Sequence, residues 1–296
     1  NLSALAANIR MIARTVRPAE VMVVVKADAY GHGLLPCSRA ARAAGATWLG
    51  AATIGEGVAL RAAGDDGRVF SWLFGPGEDL GVAVANDLDL GIHHPDQLRK
   101  LCAAADRVGR PARAHLKIDT GLSRNGCPPE VWPQFCAEAA AAERRGAIEV
   151  AGIWSHLAAA DEPGHPATAR QQRAFDEAVA TAQAAGLRSP RRHLANSAAA
   201  LAHPATRFEL VRIGIASYGI DPADDGLAEA AGVTLQPVMT LRAQLAAVRR
   251  ISAGTGVSYG HLWTSDRPTT LGLVPLGYAD GVPRHASSVA ECLVGG

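Results

Sequence analysis

The chain has 296 residues, of which 48% are hydrophobic and 19% charged, with a net charge of +1. That length and apolar content suffice for one large α/β barrel or two ordinary domains, and the near-neutral balance excludes a basic nucleic-acid-binding face. The cysteines at 37, 102, 127, 136 and 292 contain no C-x-x-C pair, which favours a reduced cytoplasmic protein over a disulfide scaffold; no apolar run reaches membrane-spanning length and no signal peptide is visible.

The chain opens in a helical pattern, with Leu2, Leu5, Ile9 and Ile12 on one face, and both ends read as cut inside an element. Residues 21–27 follow, an apolar, β-branched run without helical spacing that predicts a strand buried on both faces and finished by Lys26. A helix is expected near 34–44. Further strands are expected at 48–52, 69–74, 89–92, 112–118, 148–156, 192–195 and 209–213. Ala-rich helices separate them near 54–63, 78–85, 95–107, 129–145, 168–185 and 198–202. Eight β/α units at this length predict an N-terminal (β/α)8 barrel over 1–226. An open doubly wound sheet would more often carry a Gly-rich dinucleotide turn after its first strand, and Lys26-Ala27-Asp28-Ala29-Tyr30 is not one.

Past 226 the pattern changes. Residues 221–232 read as a linker, and 227–296 as the start of an incomplete C-terminal all-β domain. Alternating residues lie within 232–250, and strands are expected at 271–275 and 289–294.

Function in such a barrel sits at the C-terminal ends of the strands. The first strand delivers Lys26, with Tyr30 just beyond. The fifth delivers Lys117 and, further on, Arg124; the sixth Ser155-His156; the seventh Asn196-Ser197; the eighth Arg212 and Gly214-Ile215. Burial favours a lysine's neutral amine, the form a nucleophile needs, although a lysine snorkelling from a strand end is the bland alternative. Phosphates in barrels frequently bind at the seventh and eighth loops, where Ser197 offers a hydroxyl and Gly214 and Ile215 offer N–H groups. A phosphate site beside a strand-end lysine suggests pyridoxal phosphate held as a Schiff base.

The string Val24-Val25-Lys26-Ala27-Asp28-Ala29-Tyr30-Gly31-His32-Gly33 resembles the pyridoxal-phosphate attachment motif of bacterial alanine racemases. The resemblance continues, in the family's order, through Lys117-Ile118-Asp119-Thr120-Gly121-Leu122-Ser123-Arg124, Ser155-His156, Ala195-Asn196-Ser197, Arg212-Ile213-Gly214, Gly256-Val257-Ser258-Tyr259-Gly260 and Gly277-Tyr278-Ala279-Asp280-Gly281. It implies a cytoplasmic isomerase that interconverts L- and D-alanine and supplies D-alanine for peptidoglycan. Lys26 would carry the cofactor and act as one base, with Tyr259 as the other. Tyr30 and Ser197, with the N–H groups of Gly214 and Ile215, would hold the phosphate beside Asn196. Arg124 would face the substrate carboxylate and the phenolic oxygen, oriented by Lys117, which is often carbamylated in the family. Arg212 would bond the pyridine nitrogen, with His156 beside it, and that pair could supply a positive field that favours ionised Tyr259. The resemblance also implies a head-to-tail homodimer with shared active sites, in which Tyr259 serves the partner's cofactor, and relatives that continue further into the β domain. A serine, lysine or broad-specificity racemase and a non-catalytic pyridoxal-phosphate-binding barrel are the rival readings.

Other features have plainer readings. Gly254-Thr255-Gly256-Val257-Ser258-Tyr259-Gly260 fails the nucleotide-loop spacing. His93-His94 begin a helix better than they bind metal, and no metal site is expected. Asp224-Asp225 read as solvated charge, and Trp48, Trp72, Trp132, Trp154 and Trp263 as packing.

Overall fold

The computed structural model describes residues 1–188, 191–223 and 226–295. Asp224 and Asp225 of the expected linker lie outside the described residues, as does Gly296 at the chain's end.

The first helix, Leu2–Thr15, starts because the Asn1 side chain accepts from Ala4 N–H at 3.1 Å. Leu5, Ile9 and Ile12 line its buried face, each stabilising by roughly 1.5–3 kcal/mol. Asn8, fully buried on that helix, donates to the carbonyls of Ser217 and Gln236 and accepts from Gln236 N–H, so the helix is stitched to the barrel's last loops.

Eight parallel strands follow: β1 (Glu20–Val24), β2 (Trp48–Thr53), β3 (Arg68–Leu73), β4 (Asp89–Ile92), β5 (Ala112–Lys117), β6 (Ile148–Trp154), β7 (Arg191–His193) and β8 (Leu210–Ile213). They lie in the order β7-β6-β5-β4-β3-β2-β1-β8, with β1 paired to both β2 and β8. The join between β7 and β8 is made by Arg212 N–H, which donates to Ala195 O at 3.0 Å. Eight strands, each followed by a helix, make the expected (β/α)8 barrel.

Its interior is packed with rings: Phe70 meets Trp154 edge-on at 5.3 Å and His115 at 4.7 Å. Gly152 makes room for this layer, because a Cβ there would lie 2.2 Å from His115 Nδ1. Helix ends follow local chemistry. His94 caps Pro95–Val108, which stops at Gly109 in the left-handed region, φ +76°.

Several boundaries differ from expectation. β1 stops at Val24, so Lys26 lies past the strand instead of finishing it. The helix expected from 129 starts at Trp132, behind Pro128 and Pro129.

The chain divides into two compact units, Asn1–Met239 and Thr240–Gly296. Residues 227–239, expected to open the second domain, belong to the first unit; Leu227, Ala228, Val233 and Val238 are buried in its core. The second unit pairs β9 (Ala247–Ile251) with β12 (Thr269–Leu273), and β10 (Gly256–Val257) with β11 (Trp263–Thr264), both antiparallel. The strand expected at 289–294 does not form. Its apolar residues take no ladder partner among the described residues, and alternation alone does not make a strand.

Candidate functional site

Lys26 begins a left-handed turn, Lys26–Gly31. Ala27, Asp28, Ala29 and Tyr30 have φ of 53°, 52°, 55° and 55°. None is glycine, so this conformation costs roughly 1–2 kcal/mol per residue. The turn swings Tyr30 back under the lysine, whose Nζ lies 5.6 Å from the Tyr30 ring centroid. Tyr30 is wedged against Tyr218 at 4.8 Å, and Tyr218 donates to Val24 O at 3.0 Å. Burial raises the Tyr30 phenol above its ordinary range, so at neutral pH it is a protonated donor.

The Tyr30 hydroxyl reaches the start of the loop after β8. A Cβ on Gly214 would come within 2.5 Å of it, so only glycine leaves this space open. Across the same space Gly214 N–H donates to Ser197 Oγ at 3.0 Å. Ser197 starts the helix Ser197–Ala202, which Asn196 caps by accepting from Ala199 N–H at 3.0 Å. A phenol, a serine hydroxyl and N–H groups around a gap kept open by a glycine form a donor set suited to a phosphate, beside a lysine amine suited to an aldehyde. Pyridoxal phosphate fits these residues. Asn196 acts here through its helix cap.

Arg212, 5% exposed, is held by three carbonyls at the ends of two strands, β6 and β7. It donates to Ser155 O (2.7 Å), Leu194 O (3.0 Å) and His193 O (2.5 Å). Burial pushes its guanidinium down to about 9, still charged at neutral pH. His156 Nδ1 lies 3.3 Å from Arg212 Nη2 and accepts from it. Burial, then the charges of Arg212, Arg124, Lys117 and Lys26, push His156 down to about 3. It is therefore neutral, and the expected positive field of an Arg212–His156 pair comes from the arginine alone.

Lys117 is 2% exposed and donates to Asn125 Oδ1. Its Nζ sits 4.5 Å from the Trp154 ring centroid, and Arg212 Cζ lies 5.1 Å from the same ring. Burial, then Arg212 and Arg124, push the amine down to about 7. Arg124 lies on the exposed loop after β5.

The strand-end inventory missed a chain of groups below Arg212. A guanidinium can only donate. His193 Nδ1 therefore accepts from Arg212 Nη1 at 3.1 Å, and His193 Nε2–H donates to His115 Nδ1 at 2.8 Å. His115 Nε2–H then donates to Asp89 Oδ1 at 3.2 Å. Burial works against the Asp89 charge, but the His115 bond, Arg113 and Arg68 prevail and hold the carboxyl below its usual range. Burial keeps both histidines below theirs, hence neutral. The signal was present: Arg113, His115 and Lys117 alternate along β5, so a polar row faces one side of a strand expected to be core.

Tyr259 belongs to the second unit. It opens the turn Tyr259–His261 after Ser258, whose φ is +61°, and is 86% exposed, taking no part in the packing of its own unit.

Family models described as alanine racemase, N-terminal domain, and alanine racemase, C-terminal domain, match residues 1–222 and 238–296. The alanine racemase of Streptomyces coelicolor is 50% identical over 301 residues, spanning 100% of this chain and 77% of the relative. That of Frankia casuarinae is 49% identical over 296 residues, with the same coverage of 100% and 77%. Among solved structures, the alanine racemase from Streptomyces lavendulae superposes with a TM-score of 0.93 at 48% identity, covering 97% of this chain and 75% of that one. An alanine racemase from Bartonella henselae, described with covalently bound pyridoxal phosphate, superposes with a TM-score of 0.82 at 27% identity, covering 96% and 76%.

Proposed function

Because this chain belongs to the alanine racemase family, we propose that Lys26 and Tyr259 are the two bases by which it inverts the α-carbon of alanine. The chain is a pyridoxal-phosphate-dependent alanine racemase that interconverts L- and D-alanine. The bound cofactor supplies an electron-withdrawing ring that acidifies the α-proton. Inversion removes that proton from one face and returns one to the other, which two opposed bases do directly. The Lys26 amine serves one face. The Tyr259 phenol of the partner subunit serves the other, in a head-to-tail homodimer; its exposure on a separate compact unit supports that reading.

Tyr30, Ser197 and the N–H groups of Gly214 and Ile215 hold the phosphate. Arg212 faces the ring nitrogen as a donor that keeps its own proton, so the ring remains a weak electron sink and side reactions are suppressed. Arg124 receives the substrate carboxylate. The observation that carries this reading is the joining of Lys26 to the Tyr30–Gly214–Ser197 cradle by one four-residue left-handed turn. Borohydride reduction of the holoenzyme followed by peptide mapping tests it. The pyridoxyl group is expected on Lys26, and a label on any other lysine overturns the assignment.

Lys117, with its amine near pH 7, is competent to react with carbon dioxide. The neutral amine nitrogen forms a bond to carbon as one C=O π bond breaks and its electron pair moves to oxygen, the N–H proton passes to water, and the resulting carbamate anion lies in the field of Arg212 and Arg124. At fixed dissolved carbon dioxide, a ¹³C carbamate signal is expected to rise through about pH 7 and to vanish in Lys117→Met. A signal that rises only near the ordinary lysine range, about 10.4, contradicts it. D-alanine made in this way supplies peptidoglycan in a reducing cytoplasm. The five unpaired cysteines and the absence, among the described residues, of a helix long and apolar enough to cross a membrane are consistent with that compartment.

A further inference from the structure

The turn that carries Lys26 holds four consecutive non-glycine residues, Ala27 to Tyr30, in the left-handed region, and such strain persists only where the surroundings over-determine it. Part of the restraint is internal. Ala29 N–H donates to Val25 O at 2.8 Å, Gly33 N–H to Asp28 O at 2.9 Å, and the His32 ring bonds the carbonyls of Ala29 and Tyr30 at 2.9 and 3.1 Å. At the far end, Asp28 Oδ1 accepts from Leu34 N–H at 2.6 Å, fixing the turn to the following helix.

The near end is fixed from outside. Ala27 N–H, in the peptide that leaves Lys26, donates to Glu56 Oε1 at 2.7 Å. The other carboxylate oxygen, Oε2, accepts from Ala52 N–H at 2.9 Å and Thr53 N–H at 3.1 Å. Glu56 is the third residue of the helix Ile54–Ala62 and, with Thr53, completes a capping box. A capping box asks its glutamate only to reach back to the N-cap N–H. Here the second oxygen extends to a different β/α unit and ties the Lys26–Ala27 peptide to the end of β2. Rotation of that peptide would turn the Cα–Cβ direction of Lys26 and lift Tyr30 from Gly214.

We propose that Glu56 is a positioning residue for racemisation: its carboxylate clamps the left-handed turn and so aims the Lys26 amine. The inference rests on the reading of Lys26 as the cofactor-bearing base, and borohydride mapping of the unaltered holoenzyme tests that reading separately.

Glu56→Gln keeps the shape but places an NH₂ where one acceptor stood, so at least one of the three N–H groups is left facing a donor. A misplacement on the ångström scale is expected to lower kcat by about 10- to 100-fold. KM for alanine should change by less than about threefold, because the substrate carboxylate is held elsewhere. The visible circular dichroism of the bound cofactor should also change, since its attachment has turned. Thr53→Ala removes the helix cap but leaves the bond to Ala27. It should lower Tm while kcat stays within about twofold of the parent.

Equal kcat losses in the two variants would make Glu56 a helix cap and nothing more. An unaltered dichroism with kcat within about twofold in Glu56→Gln would overturn the proposal outright. Should Glu56→Gln fail to fold, hydrogen exchange on the unaltered holoenzyme decides. The Ala27 amide is expected to be as protected as those of Ala52 and Thr53, which share its carboxylate, and fast exchange at Ala27 refutes the clamp.

Discussion

Lys26→Ala is expected to lower racemisation by about 10⁴-fold or more, because in the proposed assignment it removes the cofactor's attachment point and one of the two proton-transfer groups together. The phosphate cradle does not depend on the lysine side chain. Tyr30 is braced by Tyr218, whose hydroxyl is anchored on the Val24 carbonyl, and Ser197 by Gly214 and its own helix. The variant should therefore still bind pyridoxal phosphate reversibly, with weaker affinity and no borohydride-trapped adduct. Adding a small primary amine should restore part of the activity, by supplying a free base in the space the side chain leaves. Activity above about 1% of the parent without added amine would show that another group does this work.

Tyr259→Phe carries the second large loss, about 10²- to 10⁴-fold. The phenol touches nothing that its own unit needs, as its 86% exposure shows, so fold and cofactor content should be unchanged. The two enantiomers of alanine are equally stable in water. The racemisation efficiencies in the two directions must therefore fall by the same factor. Exchange without inversion has no such constraint. One enantiomer presents its α-proton to Lys26 and should still lose an α-deuterium label to solvent, while its mirror image keeps the label. Equal washout from both enantiomers would place both transfers on one group and remove Tyr259 from the mechanism.

The barrel was legible because parallel strands, buried on both faces, leave short apolar runs separated by Ala-rich helices. The strand ends could be read for the same reason, since every β/α unit delivers its loop to the same rim. That reading brought Lys26, Tyr30, Ser197, Arg212 and Gly214 together from positions spread over nearly the whole first unit. The strand expected to end at Lys26 stops at Val24 instead. Propensity places Ala, Asp and Tyr in right-handed or extended backbone, and nothing local announces four left-handed residues in a row; the clamp of Glu56 and the His32 ring impose them. The row Arg113, His115 and Lys117 was hidden differently. Its chemistry depends on partners in β4, β7 and β8, which one strand's pattern does not name. The role proposed for Tyr259 rests only on likeness to a family, because an exposed tyrosine in a glycine-bearing turn has no chemistry of its own.

Arg212 contributes the main-chain bond that joins β7 to β8, while its guanidinium grips carbonyls beyond β6 and β7. The residue proposed to face the cofactor's ring nitrogen is thus also the keystone of the cylinder. A rate deficit in an Arg212 variant consequently mixes an electronic effect with a looser wall, and the two separate only when barrel stability is measured alongside turnover. Arg212→Lys illustrates the entanglement: it conserves the charge but loses the planar fork that spans the ends of β6 and β7. The chemistry of the ring and the closure of the barrel are therefore not independent degrees of freedom, and substitution here moves both at once.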